Sequence, residues 1–176
     1  MVQREVCERD RKSDQQTDLS DCRLSSDCRG CKLIKCALHH SSTQVECHPY
    51  LNQAKLLQFC RSNGIELTAY SPLGSPGRIA PKSAEPYLIE DPIVKSLAKT
   101  HQRHPAHILI RYQLQRNVVA IPKAIQKSHV ESNLDALTFE LSREEMLRLD
   151  SLNRNYRFMK FERCLNHKYY PFNDEF

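Results

Sequence analysis

Three observations predict an α/β fold built on a parallel sheet. Thr43–Cys47 alternates polar and apolar residues as a short strand does, and it stops at His48-Pro49, where the proline ring ends ladder donation. A helical stripe of Leu56, Leu57, Phe59 and Cys60 follows, and then a second β-type run from Ile65 to Tyr70. Strand, helix and strand with short joins form a βαβ unit, whose crossover is right-handed. The third observation is Val118-Val-Ala-Ile121, an apolar run closed by Pro122 that reads as a buried strand.

Local signals place the remaining elements. Asn52 is the expected N-cap of the first helix, which runs to about Asn63, and Gly64 occupies the C′ position that favours αL. After Leu73 comes a long loop punctuated by Gly74, Pro76, Gly77, Pro81 and Pro86; loops of this length in compact domains are binding loops or lids. Asp91-Pro92 reads as N-cap and N1 of a helix with Ile93, Val94, Leu97 and Ala98 on one face. A further helix starts at Pro105 and carries Ile108, Leu109 and Tyr112. Lys123 to about Asn133 should form a short helix. Ser142-Arg-Glu-Glu145 is a capping box with Leu141 and Met146 at the staple positions, and its helix should reach about Leu152. The segment 153–176 has no periodicity but is rich in Tyr and Phe, which predicts a packed loop.

Composition bounds the class. Apolar residues make up 40% of the chain, charged residues 27%, and mean hydropathy is −0.61, values of a soluble globular protein on the polar side. The net charge of +5 is spread thinly: residues 1–42 hold 8 Lys+Arg against 7 Asp+Glu. No basic run interleaved with aromatics points to nucleic acid. No secretory h-region or membrane span is legible, so the expected location is cytoplasmic, with the eight cysteines as reduced thiols.

Residues 1–42 differ from the rest. Five cysteines (Cys7, Cys22, Cys28, Cys31, Cys36) crowd a charged, Ser/Asp/Gln-rich stretch with almost no apolar periodicity, which predicts an unstructured leader. Cys28, Cys31, Cys36 and His39 could supply a tetrahedral zinc set. A single CxxC with no hydrophobic partner is a weak signal, and ordinary thiols in a biased segment are the expectation.

The chemistry concentrates at Glu66-Leu-Thr-Ala-Tyr70-Ser71-Pro72-Leu73-Gly74-Ser75, where a strand ends in an aromatic ring and breaks into a loop. In parallel α/β sheets the carboxyl ends of the strands are where ligands bind. This stretch, with Gln44-Val-Glu-Cys-His-Pro-Tyr50-Leu, Gln115-Arg-Asn-Val-Val-Ala-Ile-Pro-Lys123 and His167-Lys-Tyr-Tyr-Pro-Phe172, resembles the aldo-keto reductases of the aldose and aldehyde reductase type. The likeness runs in order through residues 43–176, which are taken as the carboxyl-terminal half of such a domain, behind the unrelated leader 1–42. It implies a partial (β/α)8 TIM barrel of about three strands, and hydride transfer between NADP(H) and a carbonyl carbon. By resemblance, Gln44 meets the nicotinamide carboxamide and Tyr70 stacks on the ring. Ser71, Leu73 and Ser75 fold over the pyrophosphate, Lys123 faces the 2′-phosphate, and Asn133 meets adenine.

Several positions depart from the family pattern. Thr43, Gly77, Ala124 and His129 stand where Asn, Asp, a hydroxyl residue and Arg are usual, which implies weakened cofactor binding. The family's Asp, Tyr, Lys and His catalytic set comes from its amino-terminal half, and residues 1–42 hold no counterpart. A complete barrel takes roughly 250 residues. These 176 residues are therefore expected to be inactive alone, with no catalytic residue assigned among them. A carbonyl substrate would enter only on complementation. The alternatives are a non-catalytic interaction module, self-associating or pairing with an intact homologue through exposed strand edges, and the zinc-binding leader.

Overall fold

The computed structural model describes residues 42–77, 87–167, 170 and 172. These fall into two units, 42–162 and the residues from Arg163 onward. The predicted leader up to residue 41, with its candidate zinc set, and the loop prolines Pro81 and Pro86 lie outside the described residues; Ser42, its last residue, instead begins the first strand.

In the larger unit, strand β1 (Ser42–Glu46), helix α1 (Ala54–Ser62) and strand β2 (Glu66–Tyr70) form the expected unit, and β1 and β2 pair in parallel. Helices α2 (Pro92–Thr100) and α3 (Pro105–Gln115) lead into β3 (Val119–Ala120), which pairs in parallel on the other side of β2. Helices α4 (Lys127–Asn133) and α5 (Arg143–Asp150) follow, separated by a 3₁₀ turn at Leu134–Leu137. The sheet order is β1-β2-β3.

Most local signals act as expected. The Asp91 Oδ1 accepts the Ile93 N–H at 2.8 Å with Pro92 at N1, and both bonds of the Ser142–Glu145 capping box are present. Gly64 has φ +67° and closes α1. Asn52 is not the N-cap of that helix: Gln53 is, in αL geometry, because its side-chain amide is drawn off to the Glu46 carbonyl at 3.0 Å. Asn52 Oδ1 still accepts the Ala54 N–H at 3.2 Å. Helix α4 starts four residues later than predicted, at Lys127, and α5 ends two residues earlier.

One expectation about burial fails. Val118 is buried, but Val119 is 48% exposed and Ile121 44% exposed, so the run is not a strand covered on both faces. Alternation across the sheet gives the reason. Leu67, Ala69 and Val118 turn to the side where the helices pack, whereas Gln44, Val119 and Ile121 lie on the opposite face, which is open. Parallel sheets are ordinarily covered on both faces.

The core lies on the helical side. Tyr50, Leu88, Val94, Leu97, Ile108, Leu109, Tyr112, Leu141, Leu149 and Phe158 form one buried cluster, with Leu73 and Tyr156 packed against it. Each fully buried aliphatic side chain contributes about 1.5–3 kcal/mol relative to exposure. Polar ends of the core aromatics are satisfied: the Tyr50 hydroxyl donates to Asp91 at 2.7 Å and the Tyr112 hydroxyl to Asp150 at 2.6 Å. Tyr156 and Phe158 thus bear out a packed tail as far as 159, whereas Phe161 is 54% exposed. In the smaller unit, the Tyr170 N–H donates to the His167 carbonyl and the Tyr170 and Phe172 rings meet edge-on at 5.2 Å. Among the described residues no helix is long and apolar enough to cross a membrane.

Two tests follow from local geometry. Gly74 has φ +75°, and a Cβ there would lie 2.8 Å from the Leu88 Cβ and 3.0 Å from the Phe158 ring; Gly64 has a similar φ but open space around it. Gly74→Ala should therefore cost roughly 2–4 kcal/mol, from the left-handed backbone plus overpacking, and Gly64→Ala only about 1–2 kcal/mol, from the backbone alone. Urea unfolding of the two variants checks the difference. The second test concerns acid. Burial raises the Glu145 carboxyl, but hydrogen bonds from Ser142 and the His101 ring at 2.8 Å outweigh it and hold the group below the usual value. A carboxyl depressed on folding supplies stability above its unfolded value, near 4.3, and loses it as pH falls through the folded value. Unfolding midpoints of the Glu145→Gln variant should depend less on pH below about 4.5 than those of the parent chain.

Candidate functional site

The parallel register defines one end of the sheet. Gln44 stands opposite Thr68, Thr68 opposite Val119, and Glu46 opposite Tyr70, so these residues share one face of the sheet, open at Gln44 and Val119 and closed over Glu46. Tyr70 closes β2 at its carboxyl end and is half-buried; Gln44 is exposed one pleat back on β1. Lys123 follows β3 at the same carboxyl end and is exposed. Asn133 is the last residue of α4 and is half-buried.

Directly after Tyr70 the backbone turns sharply. Ser71 and Ser75 take positive φ values of 52° and 51°, the Gly74 N–H donates to the Ser71 carbonyl at 2.9 Å, and the Ser75 hydroxyl donates to that of Ser71 at 2.7 Å. Leu73 packs on the core and Gly74 fits closely against Leu88 and Phe158. The loop that begins at Ser71 is therefore pinned by its apolar members, with the two serine hydroxyls brought together.

Beneath Tyr70 lies a group that sequence reasoning overlooked. Glu46 is wholly buried at the end of β1. A buried carboxylate needs several donors. Its Oε1 accepts the Phe158 N–H at 2.7 Å and lies 3.1 Å from His48 Nε2, and its Oε2 accepts the Met159 N–H at 3.2 Å. The Arg157 guanidinium stands 3.9 Å from Oε2. Backbone carbonyls at this strand end are met by side-chain amides, Gln53 on Glu46 and Gln113 on Cys47 at 2.9 Å. The sequence signal for Glu46 was available: an acid at the buried end of a strand, on the same face as Gln44.

The Tyr50, Tyr70 and Tyr112 hydroxyls are poor proton donors. Burial, followed by the charge of Glu46, pushes Tyr70 up to about 12 despite Arg157. Burial and the bond to Asp91 push Tyr50 to about 12 as well, and burial raises Tyr112 further. A general acid needs a value drawn towards the working pH, and these three move the other way. Among the described residues no cluster of three His, Cys, Asp or Glu could hold a metal ion.

Comparison with known proteins bears on the site as a whole. The family model described as "Aldo/keto reductase family" matches residues 32–154. Among curated proteins, the chain is 49% identical over 136 residues to the prostaglandin-E(2) 9-reductase of Oryctolagus cuniculus, covering 76% of this chain and 42% of that protein. It is 47% identical over 134 residues to aldo-keto reductase family 1 member C15 of Rattus norvegicus (76% of this chain, 41% of the relative). Against family 1 member A1 of Rattus norvegicus it is 46% identical over 142 residues (76% and 44%). The chain thus spans less than half the length of these relatives. With the family model matching residues 32–154 and members of the family 46–49% identical over 76% of its length, the chain belongs to the aldo/keto reductase family.

Proposed function

We propose that residues 43–176 form the NADP(H)-binding portion of a carbonyl and alcohol oxidoreductase, a partial (β/α)8 barrel that does not itself carry the proton-donating set. The observation that supports this best is the register that puts Gln44 and Tyr70 on one open face, with the Ser71–Ser75 turn and Lys123 at the same carboxyl ends. The donor chemistry fits the cofactor piece by piece. A half-buried ring suits a planar nicotinamide, and the exposed Gln44 amide suits its carboxamide. Paired Ser71 and Ser75 hydroxyls suit phosphate oxygens, with Leu73 anchoring their turn, and an exposed Lys123 ammonium suits a 2′-phosphate. Asn133 completes the set as the adenine contact.

When bound, the cofactor supplies the hydride; the chain's residues bind and orient it. With Ala124 and His129 in place of usual phosphate partners, and Gly77 in place of the Asp that usually latches the loop to the lysine, affinity is weakened, each lost charge-assisted bond being worth about 1.5–3 kcal/mol. The 176-residue chain is inactive towards aldehydes by itself, and it works in the cytoplasm; the family match, which begins at residue 32, takes in the end of the stretch 1–42 read from the sequence as a leader.

A second reading is favoured by the open sheet face. Val119 and Ile121 are 48% and 44% exposed, and an uncovered parallel sheet is a surface for another chain. Self-association or pairing with an intact homologue would cover it and could complete the site. No nucleic-acid or membrane role is proposed.

Fluorescence titration of NADPH into the purified chain should give saturable binding, weakened at least tenfold, about 1.4 kcal/mol, by Tyr70→Ala and by Lys123→Ala. Equal binding by both variants would sink the assignment. Sizing across a concentration series should show association beyond the monomer; a strict monomer that unfolds cooperatively removes the pairing reading.

A further inference from the structure

Helix α4 carries Asn133, yet little of the chain holds it. None of its seven residues is buried, and its charged side chains Lys127 and Glu131 pair with each other at 3.5 Å, in the open. The chain next enters the interior at Ala136, in the 3₁₀ turn that follows. Among the described residues, one hydrogen bond ties α4 to another element: Nε2 of His107, on α3, meets the Ser132 hydroxyl at 2.8 Å. His107 is 6% exposed, and its Nδ1 has no partner. Buried N–H groups without an acceptor are rare, so the ring proton belongs on Nε2, donating to Ser132, with Nδ1 bare.

We propose that His107 is a positioning residue for the adenine end of the cofactor site: as a neutral imidazole it holds α4, and with it Asn133, against α3, and uptake of a proton releases the helix. Imidazolium carries an N–H on both nitrogens, and the second would lie buried at Nδ1 with nothing to accept it. That proton finds an acceptor once α4 moves off and water reaches the ring. The charged groups about the ring come from two sides: Arg103 and His104 just before α3, the His104 ring centred 5.9 Å away, and Asp135 in the 3₁₀ turn. Arg103 is engaged by the Thr138 hydroxyl at 3.0 Å. Burial, opposed by the Asp135 charge and reinforced by His104 and Arg103, lowers His107 from its usual value. A histidine lowered on folding supplies stability above its unfolded value, near 6.5, and loses it as pH falls towards the folded value. The hold on α4 therefore weakens by up to about tenfold per pH unit below about 6.5.

The proposal rests on the cofactor reading above, and its test separates the two. NADP+, which survives mild acid, is titrated calorimetrically into the full chain. At about pH 7.5, Ser132→Ala and His107→Leu should each raise Kd about two- to tenfold, and the double variant no more than the larger single, because both break one bond. His107→Gln, which can donate to Ser132 but takes up no proton, should recover most of the loss. From about pH 7.5 to about pH 5.5 the parent Kd should rise about two- to tenfold more than that of His107→Gln. Taking that difference cancels titration of the cofactor's own phosphate and of His129. An unchanged Kd in Ser132→Ala, or equal pH profiles in the parent and His107→Gln, overturns the proposal while leaving the cofactor reading intact.

A second measurement needs no ligand. Amide hydrogen exchange reads α4 directly, because its protection factors follow the local opening equilibrium. In the parent chain, protection over α4 should fall about three- to tenfold from about pH 7.5 to about pH 5.5, with the β1–β2 amides unaffected. It should stay level in His107→Gln and be low at both pH values in Ser132→Ala. If the parent chain binds no NADP+, the cofactor reading fails and exchange decides the tether: a loss of protection in acid that His107→Gln abolishes upholds it, and equal behaviour of the two chains overturns it.

Discussion

The buried Glu46 carboxylate is the constraint on which the rest of this structure depends. A charge wholly removed from water at the end of a strand is tolerable only with donors on both oxygens, and the strand itself can supply none. The donors come from 112 and 113 residues away, as the Phe158 and Met159 backbone N–H groups. That pairing draws the segment after α5 across the carboxyl end of the sheet. Phe158 then enters the core, Gly74 must lack a side chain to fit against it, and the Tyr50 carbonyl accepts the Arg154 and Tyr156 N–H groups alongside. Site and core are thereby joined through one carboxylate.

The two faces of the sheet tell different stories. On the helical face the chain is finished: apolar residues are covered, caps are made and the hydroxyls of Tyr50 and Tyr112 are bonded. The other face carries Gln44, Val119 and Ile121 in the open. The proposed cofactor ligands sit on or at the rim of that unfinished face, which is why cofactor binding and chain association, offered as separate readings, draw on the same surface. Anything covering the face would also enclose the site, and would strengthen its charge interactions by excluding water.

Features legible in the sequence are those decided within a few residues. Asp91-Pro92, the Ser142–Glu145 box and Gly64 depend on neighbours two to four positions away, and they fold as read. Gln53 displaced Asn52 as N-cap because a more distant acceptor, the Glu46 carbonyl, won its side chain. Val118–Ile121 departs from the sequence expectation for a related reason. An apolar run says that a strand can be buried, but whether its second face is covered depends on other parts of a chain. At the candidate site, the motifs around Tyr70 and Lys123 were readable, whereas Glu46, Arg157 and Phe158 were not. Their roles arise from contacts spanning more than a hundred residues, for which no spacing rule exists.

The brevity of β3 has a kinetic consequence. Only Val119 and Ala120 pair with β2, extended by a single 3.3 Å bond from the Ile121 N–H to the Ala69 carbonyl. Opening this seam breaks few bonds and exposes little that is not already wet, so it belongs to the low end of the local-unfolding scale, far below the β1–β2 pairing. Lys123 hangs directly beyond it. The cation proposed to select the phosphate-bearing cofactor is thus mounted on the first part of the sheet to breathe, and capture of a phosphate there would act as a latch, slowing the opening of the strand that carries it.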